Sequence, residues 1–305
     1  MKKLIPLLTA ISLFAEPLTI YADEENSFSE TIDGNTFTYT VDADMNATIT
    51  GCELYESEII IPSSLGGYMV TSIGEMAFFG KIMMNSVIIP EGIRYIGDNA
   101  FSGCLSLTDV KFPETLTSIG NGCFMSCSAL ETAFLNNSIS SIPDNCFNSC
   151  TSLKNINIPE SVVFIGTEAF FGCPDLSDIF IPATVGIIGD NAFGMHSGRN
   201  SIIEKINNFR LRGLPNTAVT EYAENTGIEI YCKIGDVNCD NFIDAVDASI
   251  VSIEYANVST NGEPTFDTYQ KYVADYNNDG FIDAVDATLI SMEYARLQTL
   301  SNDEM

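Results

Sequence analysis

The chain has 305 residues, 41 acidic against 13 basic, and a formal net charge of −28. A surface of that sign repels phosphate backbones and excludes nucleic acid as a partner. One His and no Trp leave almost nothing for a His-dependent triad or for the Trp platforms that bind flat carbohydrate.

Lys2-Lys3 and the apolar run from Leu4 to Phe14 read as an export leader. The run is too short to span a bilayer. Ala22, after Ile20-Tyr21, is the expected cleavage point, with Ala15 second, and residues 1–22 are read as a signal peptide. The expectation is a secreted, extracellular protein with no membrane partner.

Residues 23–68 are expected to cap a repeat array that runs over 69–209. Phe78, Phe101, Phe124, Phe147, Phe170 and Phe193 recur every 23 residues, as do Ile73, Ile96, Ile119, Ile142, Ile165 and Ile188. Pro90, Pro113, Pro159 and Pro182 share the period, with Asn136 in the remaining slot. A unit this short cannot bury its own apolar face, so the coils must stack. Leu107, Val110 and Phe112 fit the spacing of a leucine-rich strand. The strand should stop at Pro, which has no N–H to continue a ladder. Ile-Gly and Ala-Phe or Cys-Phe should form the opposite wall. His196-Ser197-Gly198-Arg199-Asn200 breaks the pattern where a terminal coil must cap the stack. Residues 210–232 are expected to close it, with Thr217 to Ala223 as the closing segment.

This pattern resembles the BspA-like leucine-rich repeat family over about Gly51 to Cys232. The resemblance implies a mainly β solenoid of 23-residue coils.

Nine cysteines in an exported chain invite a disulfide framework. Their placement argues for buried thiols instead. Cys104, Cys127, Cys150 and Cys173 fill one repeat slot, and Cys123 and Cys146 fill a slot that elsewhere holds Ala77, Ala100, Ala169 and Ala192. A Cys that alternates with Ala behaves as a small hydrophobe. Cys239 falls at a non-ligand position of a loop described below and is expected to be free.

Residues alternating with the core positions of each strand must point outward. That slot reads Ile88, Lys111, Phe134, Asn157 and Phe180. Large apolar side chains there point to a binding face for a protein or a cell-wall ligand.

The last third repeats itself. Residues 236–247 return 39 residues later as 275–286. Oxygen donors stand at loop positions 1, 3, 5, 9 and 12: Asp236, Asn238, Asp240, Asp244 and Asp247, then Asp275, Asn277, Asp279, Asp283 and Asp286. Position 7, Phe242 and Phe281, offers its carbonyl and leaves its ring free to pack. This is the oxygen spacing of a calcium loop, so two calcium ions are expected. Position 12 is Asp in place of Glu, and position 6 is Gly280 in one loop and Asn241 in the other. A helical segment follows each loop; neither loop is expected to have a helix before it, unlike an EF-hand.

The duplicated loop-helix resembles a type I dockerin over about Lys233 to Leu297, a small all-α module with two calcium loop-helix motifs. We place it at 233–298, with a tail at 299–305. The resemblance implies that the module docks onto a cohesin of a scaffoldin in a cellulosome, a secreted polysaccharide-degrading complex. Its recognition positions map to Ala245, Val246, Ser252, Ile253 and Asn257, and to Ala284, Val285, Ser291, Met292 and Arg296. Ala-Val pairs and an apolar helix face bring it closer to ruminococcal dockerins. Near-symmetry implies that either copy can face the cohesin, with Asn257 against Arg296 as the clearest break.

Nearly every residue is thus taken by leader, repeats, caps or dockerin, and no segment is left for a catalytic fold. The reading is a non-catalytic cellulosome component. The alternative is a dockerin-borne glycosidase, which needs only two carboxylates at a fixed separation.

Overall fold

The structure is a computed structural model describing residues 27–198, 202–207, 209–213, 217–231, 234–238, 242–266 and 268–303. The expected signal peptide, Arg199, Asn200, Cys232, Cys239, Asp240 and Asn241 lie outside them. The described residues fall into two units: one up to Ile179 plus Thr184–Phe209, the other Phe180–Ala183 plus residues from Arg210 onward.

The first unit opens with a meander that repeat counting does not reveal. Strands β1 (Ser27–Ile32) and β2 (Asn35–Val41) form a hairpin, and β2 pairs antiparallel with β3 (Asn46–Glu53). The turn residues Asp33 and Gly34 have φ of 50° and 81°, the left-handed pair that a tight hairpin turn demands. Phe37 and Tyr39 alternate with Thr36, Thr38 and Thr40 and are buried. After β4 (Glu58–Ile60) and β5 (Ser64–Leu65) comes β6 (Tyr68–Ile73), which pairs in parallel with β3. The meander thereby covers an opening sheet edge that would otherwise invite another chain.

Each later coil adds a three- or four-residue strand and a two-residue strand. These are β7 (Ser86–Ile88) and β8 (Tyr95–Ile96), β9 (Asp109–Lys111) and β10 (Ser118–Ile119), and β11 (Thr132–Phe134) and β12 (Ser141–Ile142). Then come β13 (Asn155–Asn157) and β14 (Phe164–Ile165), and β15 (Asp178–Ile181) and β16 (Ile187–Ile188). The first set builds a parallel sheet in the order β13-β11-β9-β7-β4. The second set carries the Ile column, in which Ile73, Ile96, Ile119, Ile142 and Ile165 are buried.

The expected opposite wall is two sides, not one. The Ile-Gly pairs form the short parallel strands, and the Ala-Phe segments turn onto a third side. There, backbone N–H groups donate in one direction only. Phe78, Phe101, Phe124, Phe147 and Phe170 give theirs to the carbonyls of Ala100, Cys123, Cys146, Ala169 and Ala192, at 2.8–2.9 Å. Glycine makes the corner possible. A Cβ on Gly97, Gly120 or Gly189 would lie 2.6, 2.4 or 2.4 Å from a backbone nitrogen of the preceding coil.

Inside, the phenylalanines form one column. Successive rings from Phe78 to Phe193 stack at 5.0, 5.3, 5.5, 5.3 and 4.9 Å, nearly parallel. The Cys slot links coils as well. The thiols of Cys104, Cys127, Cys150 and Cys173 donate to the carbonyls of Phe78, Phe101, Phe124 and Phe147 at 3.1–3.2 Å. Asn136, in the Pro slot, is buried and donates to the Leu116 carbonyl at 3.0 Å. The atypical last coil ends in an antiparallel pair, β17 (Met195–Ser197) and β18 (Ile203–Lys205).

The second unit begins with β19 (Arg210–Gly213), α1 (Ala218–Thr226) and β20 (Ile230–Tyr231); β19 and β20 pair in parallel. Helix α1 ends at Gly227, whose φ of 67° suits a left-handed C-cap. Helices α2 (Ala245–Ser259), α3 (Thr268–Ala274) and α4 (Ala284–Asp303) follow. Their core gathers Val237, Ile243, Val251, Phe266, Val273 and Ile290. Helix α3 corrects the expectation that no helix precedes the second loop, since it runs directly into Asp275. Its seven residues are too few to display a helical period, and burial of Val273 and Ala274 holds it in place.

Candidate functional site

The two acidic loops close by the same device. Asp247, at position 12, accepts from the N–H groups of Val237 (2.7 Å), Asn238 (3.1 Å) and Asp244 (2.9 Å). Asp286 accepts from Tyr276 (2.8 Å), Asn277 (3.3 Å) and Asp283 (2.9 Å). Position 9 caps the next helix in both copies: Asp244 accepts from Val246 and Asp283 from Val285, each at 2.6 Å. At α2 this is a full capping box with Asp247. Position 1 of the second loop, Asp275, accepts from Asp279 (3.0 Å) and from Gly280 (2.9 Å), whose φ is 86°. Asn277 and Asp279 are bonded to each other at 2.9 Å. In the first loop Asp236 is buried and Asn238 exposed; Asp240 and Asn241 lie outside the described residues.

This donor set fits a hard cation. Every candidate ligand is an oxygen, as calcium requires. Asp247 and Asp286 are fully buried carboxylates that accept from backbone N–H groups, with no Lys or Arg partner among the described residues. Burial pushes the Asp247 carboxyl above its ordinary value and nearby Asp244 adds to that, against the three N–H groups. Among the described residues, however, no three His, Cys, Asp or Glu side chains converge closely enough to hold a metal ion. Phe242 and Phe281 differ from expectation: their rings are 67% and 71% exposed instead of packed.

The helices after the loops carry exposed apolar side chains at matching positions. Val246 and Val285 are each 51% exposed, and Ile253 and Met292 are 69% and 63% exposed. Ala245, Ala284, Ser252 and Ser291 are also at the surface. The two serine hydroxyls donate back to Ala248 and Ala287 carbonyls at 2.8 and 2.9 Å.

Residues 234–293 match the dockerin type I domain. Residues 71–198 match the BspA type leucine rich repeat region in six copies. The chain joins a BspA type repeat region to a type I dockerin. Neither is a catalytic domain. A leucine rich repeat protein of T. pallidum is 25% identical, covering 64% of this chain and 94% of its own, with a TM-score of 0.54. A leucine rich cell surface protein from Faecalibacterium prausnitzii A2-165 is 26% identical, covering 66% of each chain, with a TM-score of 0.44. Comparison with curated proteins found no match.

The dockerin copies differ at the predicted break in symmetry. Asn257 is half-buried, and its amide donates to the Glu263 carbonyl at 2.7 Å. Arg296 is exposed on α4 and grips Glu293 with two N–H groups at 2.7 and 2.6 Å. A groove of about 650 Å³ in this unit is lined by Tyr255, Val258, Pro264, Tyr272 and Phe281, among others. Loop spacing points to Phe281 at position 7 but not to the tyrosines, because it reads ligands and not their flanks.

On the repeat sheet, register aligns Ile60, Ile88, Lys111, Phe134 and Asn157 in one row. Ile60 extends the predicted ladder; it is 68% exposed, with Ile88 at 47% and Phe134 at 61%. Lys111 is exposed. Asn157 turns back on its neighbour, accepting from the Leu135 N–H (2.7 Å) and donating to the Leu135 carbonyl (2.9 Å). Phe180 is half-buried. No helix among the described residues is long and apolar enough to cross a membrane.

Proposed function

We propose that this protein is a secreted, non-catalytic component of a cellulosome-type assembly. Its dockerin seats on a cohesin module of a scaffoldin, and its repeats bind a protein or a cell-wall ligand. The observation that carries this reading is the paired exposure of Val246 with Ile253 and of Val285 with Met292 on helices that each follow an acidic loop. Such side chains supply the apolar centre of a protein interface.

Two calcium ions would be held by Asp236, Asn238, Asp240, the Phe242 carbonyl, Asp244 and Asp247, and by Asp275, Asn277, Asp279, the Phe281 carbonyl, Asp283 and Asp286. Bound calcium would offset part of the charge of a segment with twelve acidic and three basic residues from Lys233 to Gln298. The chain's own contribution is to fix the helix starts. Asp244 and Asp283 cap α2 and α4, which orients Ala245-Val246 and Ala284-Val285 outward.

On the repeats, Ile60, Ile88 and Phe134 supply the partner-facing ladder, with Lys111 among them. Calorimetry of the full chain should register two calcium ions, and capture by an immobilised cohesin should vanish with chelator. Capture that ignores the chelator defeats the docking reading. Release of reducing sugar from cell-wall polysaccharide by the pure protein defeats the non-catalytic one.

A further inference from the structure

We infer that the closing end of the repeats holds a pocket for a neutral, hydroxyl-rich ligand about the size of a disaccharide. The cavity has a volume of about 530 Å³ and is lined by Ser149, Thr151, Phe171, Pro174, His196 and Asn207, among others. That volume lies within the usual span of small-molecule sites, about 300–1,000 Å³. It forms where two regular coils meet the antiparallel pair β17–β18, at the point where the repeat pattern breaks.

The lining is chemically selective. Among the described residues, the cavity wall holds no carboxylate, lysine or arginine. The hydroxyl protons are already committed. Ser149 donates its proton to Asn148 Oδ1 at 2.7 Å, and Thr151 donates to the Ser128 carbonyl at 3.2 Å. Each hydroxyl oxygen therefore faces a ligand as an acceptor. His196 Nδ1 lies 3.2 Å from the Ser197 carbonyl. With Nδ1 turned to that carbonyl, Nε2 is the ring nitrogen left to meet a ligand. Asn207 adds one amide with both donors and acceptor.

A wall rich in acceptors selects a ligand rich in O–H donors. Phosphates and carboxylates, which bring acceptors only, are disfavoured. Phe171 contributes an aromatic ring, half-buried, against which the C–H face of a sugar ring can lie. The combination is local. The Phe171 slot holds Ser102, Met125, Asn148 and Gly194 in other coils, and the Thr151 slot holds Ile82, Leu105 and Ser128. Phe79 repeats the ring at the opening coil, but Ile82 stands there where Thr151 would be.

His196 is the chain's single histidine, so its ring proton is one resolved NMR signal of the whole protein. Maltose, cellobiose, xylobiose and the anionic digalacturonate serve as probes. The expected result is a saturable shift of the His196 signal with at least one neutral disaccharide, of millimolar affinity (about −4 kcal/mol), and none with digalacturonate. Phe171→Ala and the shape-preserving Thr151→Val should each weaken binding about tenfold, equivalent to about 1.4 kcal/mol. No shift with any neutral probe, equal binding of digalacturonate, or a folded Thr151→Val protein that binds like the parent would each overturn the assignment. The outcome does not depend on whether the dockerin reading holds.

Discussion

Glu254 and Glu293 stand 39 residues apart at the same position of the two dockerin copies and hold different partners. Buried Glu254 accepts from the Thr265 N–H (2.7 Å), the Thr265 hydroxyl (2.6 Å) and the Phe266 N–H (3.2 Å). Glu293 holds Arg296 on its own helix. The first copy is therefore stapled to the connector between the copies, whereas Glu293 of the second bonds along its own helix.

Glu254→Gln should lower the stability of the C-terminal unit by about 1–3 kcal/mol, because three bonds to a charged group are weakened in a buried place. Glu293→Gln should cost less than Glu254→Gln, because Arg296 is exposed and lies on the same helix. Thermal unfolding of both variants checks this, and the reverse ranking rejects the staple.

The same residue predicts a pH response. Burial raises the Glu254 carboxyl, but hydrogen bonds from Thr265 and Phe266 outweigh it and leave the group below its ordinary 4.5. A depressed carboxyl contributes fully above the unfolded value and is lost as pH falls through the lower native value. Below 4.5 the parent should lose stability more steeply than Glu254→Gln, measured as unfolding midpoints on acidification.

Chelation should act on one unit alone. A calcium chelator is expected to lower or abolish the dockerin transition in scanning calorimetry, by mass action on the bound ion. The repeat transition should not move. A repeat transition that shifts with calcium would mean a metal site outside the loops.

The phenylalanine column makes a graded prediction. Phe124→Ala removes a fully buried ring stacked at 5.3 and 5.5 Å on both sides and should cost about 3–5 kcal/mol. Phe78, at the end of the column, has one stacked neighbour (5.0 Å). Its truncation should cost less than that of Phe124, read from urea midpoints.

Seven cysteines are buried thiols: Cys52, Cys104, Cys123, Cys127, Cys146, Cys150 and Cys173. A thiol reagent should therefore modify no more than Cys232 and Cys239 before unfolding. Burial pushes the Cys52 and Cys173 thiols up to about 12 from 9.0. Raised values stabilise the fold below 9.0 and lose that contribution as pH rises toward 12. Alkaline unfolding should accordingly set in above 9.0 and release all the thiols together.

The coils were legible because a strict 23-residue period is written directly into side chains that stack. Ile60 escaped for the opposite reason. Its spacing to Ile88 is 28 residues, so register counting could not reach it, while backbone pairing does. The meander is not legible at the repeat period, because Phe37 and Tyr39 alternate at a period of two. The loop ligands were readable from spacing alone. The commitment of Asn257 to Glu263 was not, since it depends on how the connector returns to α2.

The one-way giving of N–H groups on the phenylalanine side has a consequence for descent. Every coil offers its successor the same donors and its predecessor the same acceptors. Duplicating or deleting one 23-residue unit leaves both terminal surfaces chemically unchanged. Unequal exchange within the gene can thus lengthen or shorten the domain in steps of about 4.8 Å without altering either cap, and reach becomes a trait that varies independently of fold.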